Sequence, residues 1–397
     1  MRSDAVFKCV CTFHRRQSHG AGDARESVGS VESVHTSEDM RLVICVAVLV
    51  AVAAAHRAPP HRVHQQAPQH EPPQPPPLLT PQSTCSAPVT RLRDGNFMPR
   101  FGFGTWLGFD ENQVPIPVTD ESVQLAVEMA IDAGYRHIDT ASIYHIEDQV
   151  GRAVNKKIQE GVVRREELFI TTKLWNDAHR REAVVPALRE SLQRLNLTYV
   201  DLYLIHYPIA TETKAFKPYA DVDYLQPWPG MVEAHQLKLT KSIGICNYNK
   251  TQLQRLWDSH EVKPAVLQIE TNLNLQQAEL REYCHDNDIA VIGYTPFGSL
   301  FPNKLRPGAP PPRVDHPMLV AMAQKYNKTV PQIVLRFNYE LGVTPIPKTV
   351  TKSRIYENLN IFDFTLDDFD RRDLKNFDTG FRVVDVKFFS DSPYYPF

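Results

Sequence analysis

The segment AGYRHIDTASIY, residues 133–144, leaves a helical pattern, passes through a short apolar run and ends in a turn carrying Asp139 and Tyr144. Two later segments repeat that design. LFITTKLW, residues 168–175, places Lys173 at the end of its apolar run, and DLYLIHYP, residues 201–208, places His206 there. Short apolar runs of this kind read as buried β-strands, and helical patterns lie between them. Regular alternation of strand and helix argues for a parallel sheet covered by helices. If the three strands are neighbours in a closed barrel, their C-terminal ends converge where barrel active sites are built. Asp139, Tyr144, Lys173 and His206 then share one pocket. A tyrosine beside a lysine and a histidine can give a proton to a carbonyl oxygen, which points to a carbonyl reductase.

Working outward, a hairpin is expected to turn at Asp94-Gly95, a strong hairpin dipeptide. Phe101 to Thr105 reads as the first barrel strand, and Thr119 to Ala133 as a helix with Val123, Ala126, Val127, Ala130 and Ile131 on one face. Strands follow at His137–Thr140, Leu168–Lys173 and Val200–His206, with helices at Gln149–Glu160 and Arg181–Leu195. The rhythm continues through strands at Ser242–Cys246, Val266–Glu270, Ala290–Tyr294 and Val343–Pro347. Eight such units predict a single (β/α)8 TIM barrel over residues 89–397, with no second folded domain. The fourth helix carries Pro227 and Pro229. An interior proline costs about 3 kcal/mol, so this helix is expected to begin at Pro229, where proline is tolerated as the first residue.

The region before the barrel differs in composition. Met40-Arg41 precedes an unbroken apolar run from Leu42 to Ala55 that ends in three alanines. A basic start, a short apolar stretch and an A-x-A site describe a secretory signal peptide, and the run is short for a membrane span. Residues 1–39 are then an upstream extension, with the functional start at Met40. Residues 56–88, rich in Pro, Gln and His, are expected to be a disordered linker, because they hold too little apolar surface to offset ordering entropy. The formal charge of −2 gives no reason to expect nucleic acid or an acidic membrane as partner. The six cysteines lack metal-ligand or disulfide spacing; a Cys9/Cys11 pair in the leader is the nearest approach. No metal is implied. No coiled coil or large apolar helix face demands assembly, so a monomer is expected.

From about Val89 to Phe397 the chain resembles an aldo-keto reductase, on motifs that stand in order as MPRFGFGTW, AGYRHIDTASIYHIEDQVG, LFITTKLW, DLYLIHYP, SIGICNYN, QIETNLNL, GYTPFGS and IPKTVTKSRIYEN. The resemblance implies a catalytic tetrad of Asp139, Tyr144, Lys173 and His206, with NADPH as cofactor and a small-molecule carbonyl substrate. Tyr144 would be the acid, its high ordinary pKa lowered by the Lys173 ammonium. Asp139 would hold Lys173 charged, and His206 would orient the substrate oxygen. The Rossmann dinucleotide fingerprint is absent, since Gly102-Phe103-Gly104 has no third glycine and opens no helix.

By the same resemblance, Asn247 and Gln268 would bind the nicotinamide carboxamide and Tyr294 would stack on its ring. Thr105, Trp106, Thr295, Phe297 and Ser299 belong to the cofactor set. Lys348, Thr349 and Arg354 would hold the adenosine 2′-phosphate, with Glu357 and Asn358 beside the adenine. Two cations near a helix N-terminus suit a phosphate. Trp106, Ile143, Trp175 and Tyr207 would line the substrate pocket. The tail beyond Phe381, with Phe388, Phe389, Tyr394, Tyr395 and Phe397, either closes that pocket or packs on the barrel exterior.

Four departures stand out: Cys246 where serine is common, Asn272 where many members have histidine, Tyr207 where tryptophan is frequent, and the proline-bearing fourth helix. QIETNLNLQQ and VIGYTPFGSLFP resemble arthropod members, some of which reduce ecdysteroid ketones, so a steroid ketone joins small aldehydes and sugars as a substrate expectation. A non-catalytic NADPH sensor or structural barrel is the alternative, and an interaction protein acting through residues 56–88 is a third reading. Secretion is favoured by the leader over a cytoplasmic location. Of the three glycosylation sequons, at Asn196, Asn249 and Asn327, the one at Asn249 lies beside Asn247 and argues the other way.

Overall fold

Val89–Arg91 (β1) and Phe97–Pro99 (β2) pair antiparallel across the Asp94-Gly95 turn, with the Leu92 and Asn96 backbones bonded at its base. The structure is a computed structural model that describes residues 87–108, 116–212, 217–218, 221–302 and 305–397. The leader, the signal-like run and all but the last two residues of the proline-rich segment lie outside the described residues. Asn96 Nδ2 donates to Lys241 O at 2.9 Å, and Arg93 donates to Asn287 O at 3.3 Å. Both acceptors precede or begin barrel strands, so the hairpin sits at the end opposite the strand termini that carry the tetrad.

The barrel strands are Phe103–Gly104 (β3), His137–Asp139 (β4), Phe169–Leu174 (β5), Val200–Ile205 (β6), Thr240–Cys246 (β7), Val266–Glu270 (β8), Ala290–Tyr294 (β9) and Val343–Pro345 (β10). All are parallel and stand in sequence order. The ring closes where Gly102 N–H donates to Pro345 O and Gly104 N–H to Pro347 O, each at 3.1 Å. Closure needs a glycine: a Cβ on Gly104 would lie 2.8 Å from Ile346 O. Leu92 and Met98 of the hairpin join Phe169, Leu202, Leu204, Val266, Ile292 and Ile346 in one buried cluster that fills the barrel.

Among the described residues the helices are Ser122–Ala133 (α1), Glu147–Gln159 (α2), Arg181–Leu195 (α3), Pro227–Gln236 (α4), Lys250–Ser259 (α5), Ala278–Asp286 (α6), Pro317–Tyr326 (α7), Val330–Glu340 (α8), Lys352–Leu359 (α9) and Asp368–Lys375 (α10). The five α1 positions expected on one face are all buried. None of these helices is long and apolar enough to cross a membrane. The start of α4 corrects the sequence expectation: it begins at Pro227, and Pro229 is its third residue. N–H groups of a first helical turn have no intrahelical acceptor, so two prolines there forfeit nothing.

Helices α2 and α3 approach closely at Gly151, where a Cβ would meet Leu195 O at 2.4 Å. Gly151→Ala is expected to destabilise the fold by about 1–3 kcal/mol through overpacking, read as a lowered urea midpoint. An unchanged midpoint would show that the pair can spread at no cost.

Candidate active site

Adjacent parallel strands bring the four expected residues together at one end of the barrel. Asp139 ends β4, Lys173 lies one residue before the end of β5, and His206 follows β6. Beyond β4 the chain tightens into a 3-10 turn, Ser142–Tyr144. Ser142 Oγ pins that turn by donating to Lys173 O at 3.0 Å, which returns Tyr144 toward β5. The fully buried Lys173 Nζ then donates to Asp139 Oδ1 at 2.6 Å, to Thr140 O at 2.9 Å and to Tyr144 Oη at 3.4 Å. Asp139 Oδ2 accepts from Gln268 Nε2 at 2.8 Å, and Thr105 Oγ1 donates to Asp139 O at 2.9 Å. The ammonium and carboxylate are thus paired and hydrogen-bonded, the condition for keeping charges in a dry interior.

His206 completes the group. Its ring meets the Tyr144 ring edge-on at 5.7 Å and the Trp175 ring edge-on at 5.2 Å, and it stacks on Tyr207 at 5.2 Å. Burial, with the Lys173 charge adding to it, holds the imidazole well below its usual pKa and therefore neutral. The Tyr144 phenol is held well above its usual range, first by burial and then by the Asp139 carboxylate. That reverses the sign expected from Lys173 alone. In this pocket desolvation of the phenolate outweighs the ammonium, so the resting phenol is protonated.

The residues expected at the cofactor occupy the remaining strand ends. Asn247 follows β7 in a left-handed conformation, φ 64°. Its Nδ2 donates to His206 O at 2.9 Å and its Oδ1 accepts from the Tyr294 hydroxyl at 2.7 Å. Gln268 Oε1 faces only the Cys246 thiol, at 3.8 Å. Thr295, Phe297 and Ser299 lie on the loop after β9, where Ser299 Oγ is buried with no protein partner. Lys348 and the buried Thr349 follow β10, and Arg354 is exposed in the first turn of α9. Glu357 and Asn358 are less open. Glu357 accepts the Thr329 hydroxyl at 2.6 Å, and Asn358 is buried.

Trp106 stacks on Tyr144 at 6.1 Å, and Trp175 meets Tyr207 at 6.2 Å, so three of the four expected pocket residues surround the tetrad. Ile143 is partly exposed on the 3-10 turn. The C-terminal tail resolves into two parts. Val384, Val386 and Phe389 are buried with Tyr207 and Ile209 against Trp106, Trp175 and Tyr294. Phe388 and Phe397 stay exposed, while Tyr394 packs on Tyr224 at 5.2 Å. Phe389 reaches the pocket wall, 6.4 Å from Trp175 and 6.0 Å from Tyr207, and Tyr395 packs on the same cluster. Residue type alone does not separate Phe389 from the other tail aromatics, and it gives Glu270 no role. The available signal was an acid closing a strand whose every residue is buried.

Comparison with known proteins agrees with this geometry. Residues 100–378 match the model of the aldo/keto reductase family. The aldo-keto reductase AKR2E4 of Bombyx mori is 46% identical over 310 residues, covering 78% of this chain and 98% of that protein. Estradiol 17 beta-dehydrogenase 5 of Mus musculus is 37% identical over 320 residues, covering 78% and 97%. Among solved structures, AKR2E4 in complex with NADP superposes with a TM-score of 0.74, and AKR2E5 complexed with NADPH with 0.75 at 45% identity, covering 79% of this chain and 94% of that one. A parallel eight-stranded barrel, a buried Lys–Asp pair beside a tyrosine and a histidine, and a family match across the whole barrel lead to one conclusion: this chain belongs to the aldo/keto reductase family.

Proposed function

We propose that this protein is an NADPH-dependent reductase that converts an aldehyde or ketone to an alcohol, with Tyr144 as general acid. The observation that carries this reading is the Lys173 ammonium held between Asp139 Oδ1 at 2.6 Å and Tyr144 Oη at 3.4 Å. When bound, NADPH supplies the hydride that reduces the carbonyl carbon. Tyr144 gives its phenolic proton to the oxygen as negative charge develops there. Lys173 stabilises the phenolate left behind, and Asp139 keeps the ammonium oriented. His206, neutral and beside the Tyr144 ring, donates a hydrogen bond that steers the carbonyl oxygen.

The chain's own groups fit the cofactor. Ser299 Oγ is a buried hydroxyl without a protein partner, and Gln268 Oε1 has only a weak thiol donor. Such groups seek a further polar ligand. In this reading Asn247, Gln268 and Tyr294 would hold the nicotinamide end, while Lys348, Thr349 and Arg354 would hold the 2′-phosphate. Cys246 takes the place of a stronger hydroxyl donor beside them. Cys246→Ser is therefore expected to tighten NADPH binding roughly fivefold in a fluorescence titration, the worth of one neutral hydrogen bond. Equal affinity would remove Cys246 from the carboxamide site.

The pH dependence follows from the two shifted groups. His206 gains a proton only well below its usual 6.5, and Tyr144 loses one only well above 10. For carbonyl reduction, kcat/KM is expected to stay flat from about pH 6 to about pH 9 and to fall on the alkaline side as the acid is lost. An inflection near neutrality that disappears in His206→Gln would contradict a neutral His206.

The aromatic walls favour an apolar carbonyl compound, and a steroid ketone is the finer substrate reading. NADPH consumption against steroid ketones, sugars and small aldehydes tests it. Turnover confined to small polar aldehydes would exclude the steroid. Tight NADPH binding with no turnover of any substrate would favour the non-catalytic sensor.

A further inference from the structure

Glu270 ends β8 two residues after Gln268, is fully buried, and takes no part in the steps above. Both its carboxylate oxygens are occupied by the tail. Oε1 accepts the Val383 N–H at 2.8 Å and Oε2 accepts the Val384 N–H at 2.8 Å, while Asn272 Nδ2 supports Oε1 at 3.0 Å. Burial raises the Glu270 pKa, and the two consecutive backbone donors, with the Arg382 charge and Asn272, act against that burial by favouring the carboxylate. Arg306 adds a bond to Val383 O and an ion pair to Asp385 at 3.0 Å. Immediately beyond this clasp, Val384, Val386 and Phe389 pack against Tyr207, Trp106 and Trp175. The far end of the tail is tied by Gln252 to Tyr394 O at 2.8 Å and by Asn249 to Pro396 O at 3.2 Å. The Asn249 amide of the sequon is therefore already engaged with the C-terminus.

A carboxylate suits this place in a way that an amide does not. Glutamine offers one acceptor oxygen, and its NH2 would face a second N–H donor. We propose that Glu270 is a specificity-determining positioning residue, which latches the tail through Val383 and Val384 and so sets the Phe389 wall against the pocket. This inference rests on the reductase reading. The latch governs how tightly a broad apolar substrate is held and leaves the proton transfer and the cofactor contacts untouched. Gln268 and Glu270 share one strand, so the same element carries the cofactor contact and the tail anchor.

The test compares the full chain with Glu270→Gln, using NADPH and two carbonyl substrates, phenanthrenequinone as the broad one and propanal as the small one. Losing a hydrogen bond to a charged group should raise KM for phenanthrenequinone about tenfold, with kcat and the propanal kcat/KM within about twofold. The NADPH dissociation constant should stay unchanged. Amide exchange at Val384 should become at least about tenfold faster in the variant. Val383→Pro removes one tail donor without altering the barrel and should reproduce the KM rise, so it carries the test if Glu270→Gln fails to fold.

An unchanged phenanthrenequinone KM in either folded variant, or retained protection of Val384 in Glu270→Gln, would overturn the latch. So would an equal loss of propanal turnover, which would mean that Glu270 supports the barrel itself. If the unaltered protein consumes no NADPH with either substrate, the reductase reading fails, and amide exchange still decides whether the clasp exists.

Discussion

Tyr144→Phe is expected to lower kcat for carbonyl reduction by about 10²–10⁴-fold while leaving NADPH affinity unchanged, the range for loss of a positioned general acid. Phenylalanine keeps the ring that stacks on Trp106 and meets His206, so packing persists and only the hydroxyl is lost. The hydroxyl is the group within 3.4 Å of the Lys173 ammonium. A phenol keeps its proton at neutral pH, burial raises the pKa of this one further, and the ammonium acts on the phenolate as it forms. Equal turnover by the variant would remove Tyr144 from the acid role. Single-turnover kinetics with saturating NADPH would separate the chemical step from product release.

Lys173→Met is expected to produce the largest loss of stability among single changes at the site. Lys173 and Asp139 are both buried, and their 2.6 Å contact is what balances the carboxylate. Removing the ammonium leaves Asp139 with the Gln268 amide as its remaining side-chain partner. Breaking one side of a buried pair typically costs about 3–5 kcal/mol, against about 0–1 kcal/mol for exposed pairs such as Arg152–Asp148. Urea unfolding should show a lowered midpoint, and turnover should fall with it. The double variant Asp139→Asn with Lys173→Met removes both charges and should regain most of the stability without the turnover. A single variant as stable as the parent would mean that the pair is not desolvated as drawn.

Much of this protein is legible along the chain. The strand runs ending at Asp139, Lys173 and His206, the intervening helices, the hairpin at Asp94-Gly95 and the barrel they compose follow from hydrophobic period and turn residues, which are local properties. Placement of the tetrad needed only the rule that parallel barrel strands converge at their C-terminal ends. The start of α4 moved to Pro227 because a proline is harmless throughout a first turn, where donors have no helical acceptor. Three features required the folded chain. The rise of the Tyr144 pKa depends on desolvation by residues distant in sequence. The placing of Phe389 and Tyr395 against the pocket wall depends on where the tail is tied. The role of Glu270 depends on two backbone donors more than a hundred residues away. The sequence alone determined which side chains stand at the strand ends, because strand pattern and residue type are written locally. Tertiary structure decided their protonation and what closes over them, because burial and long-range hydrogen bonds exist only once the ring has formed.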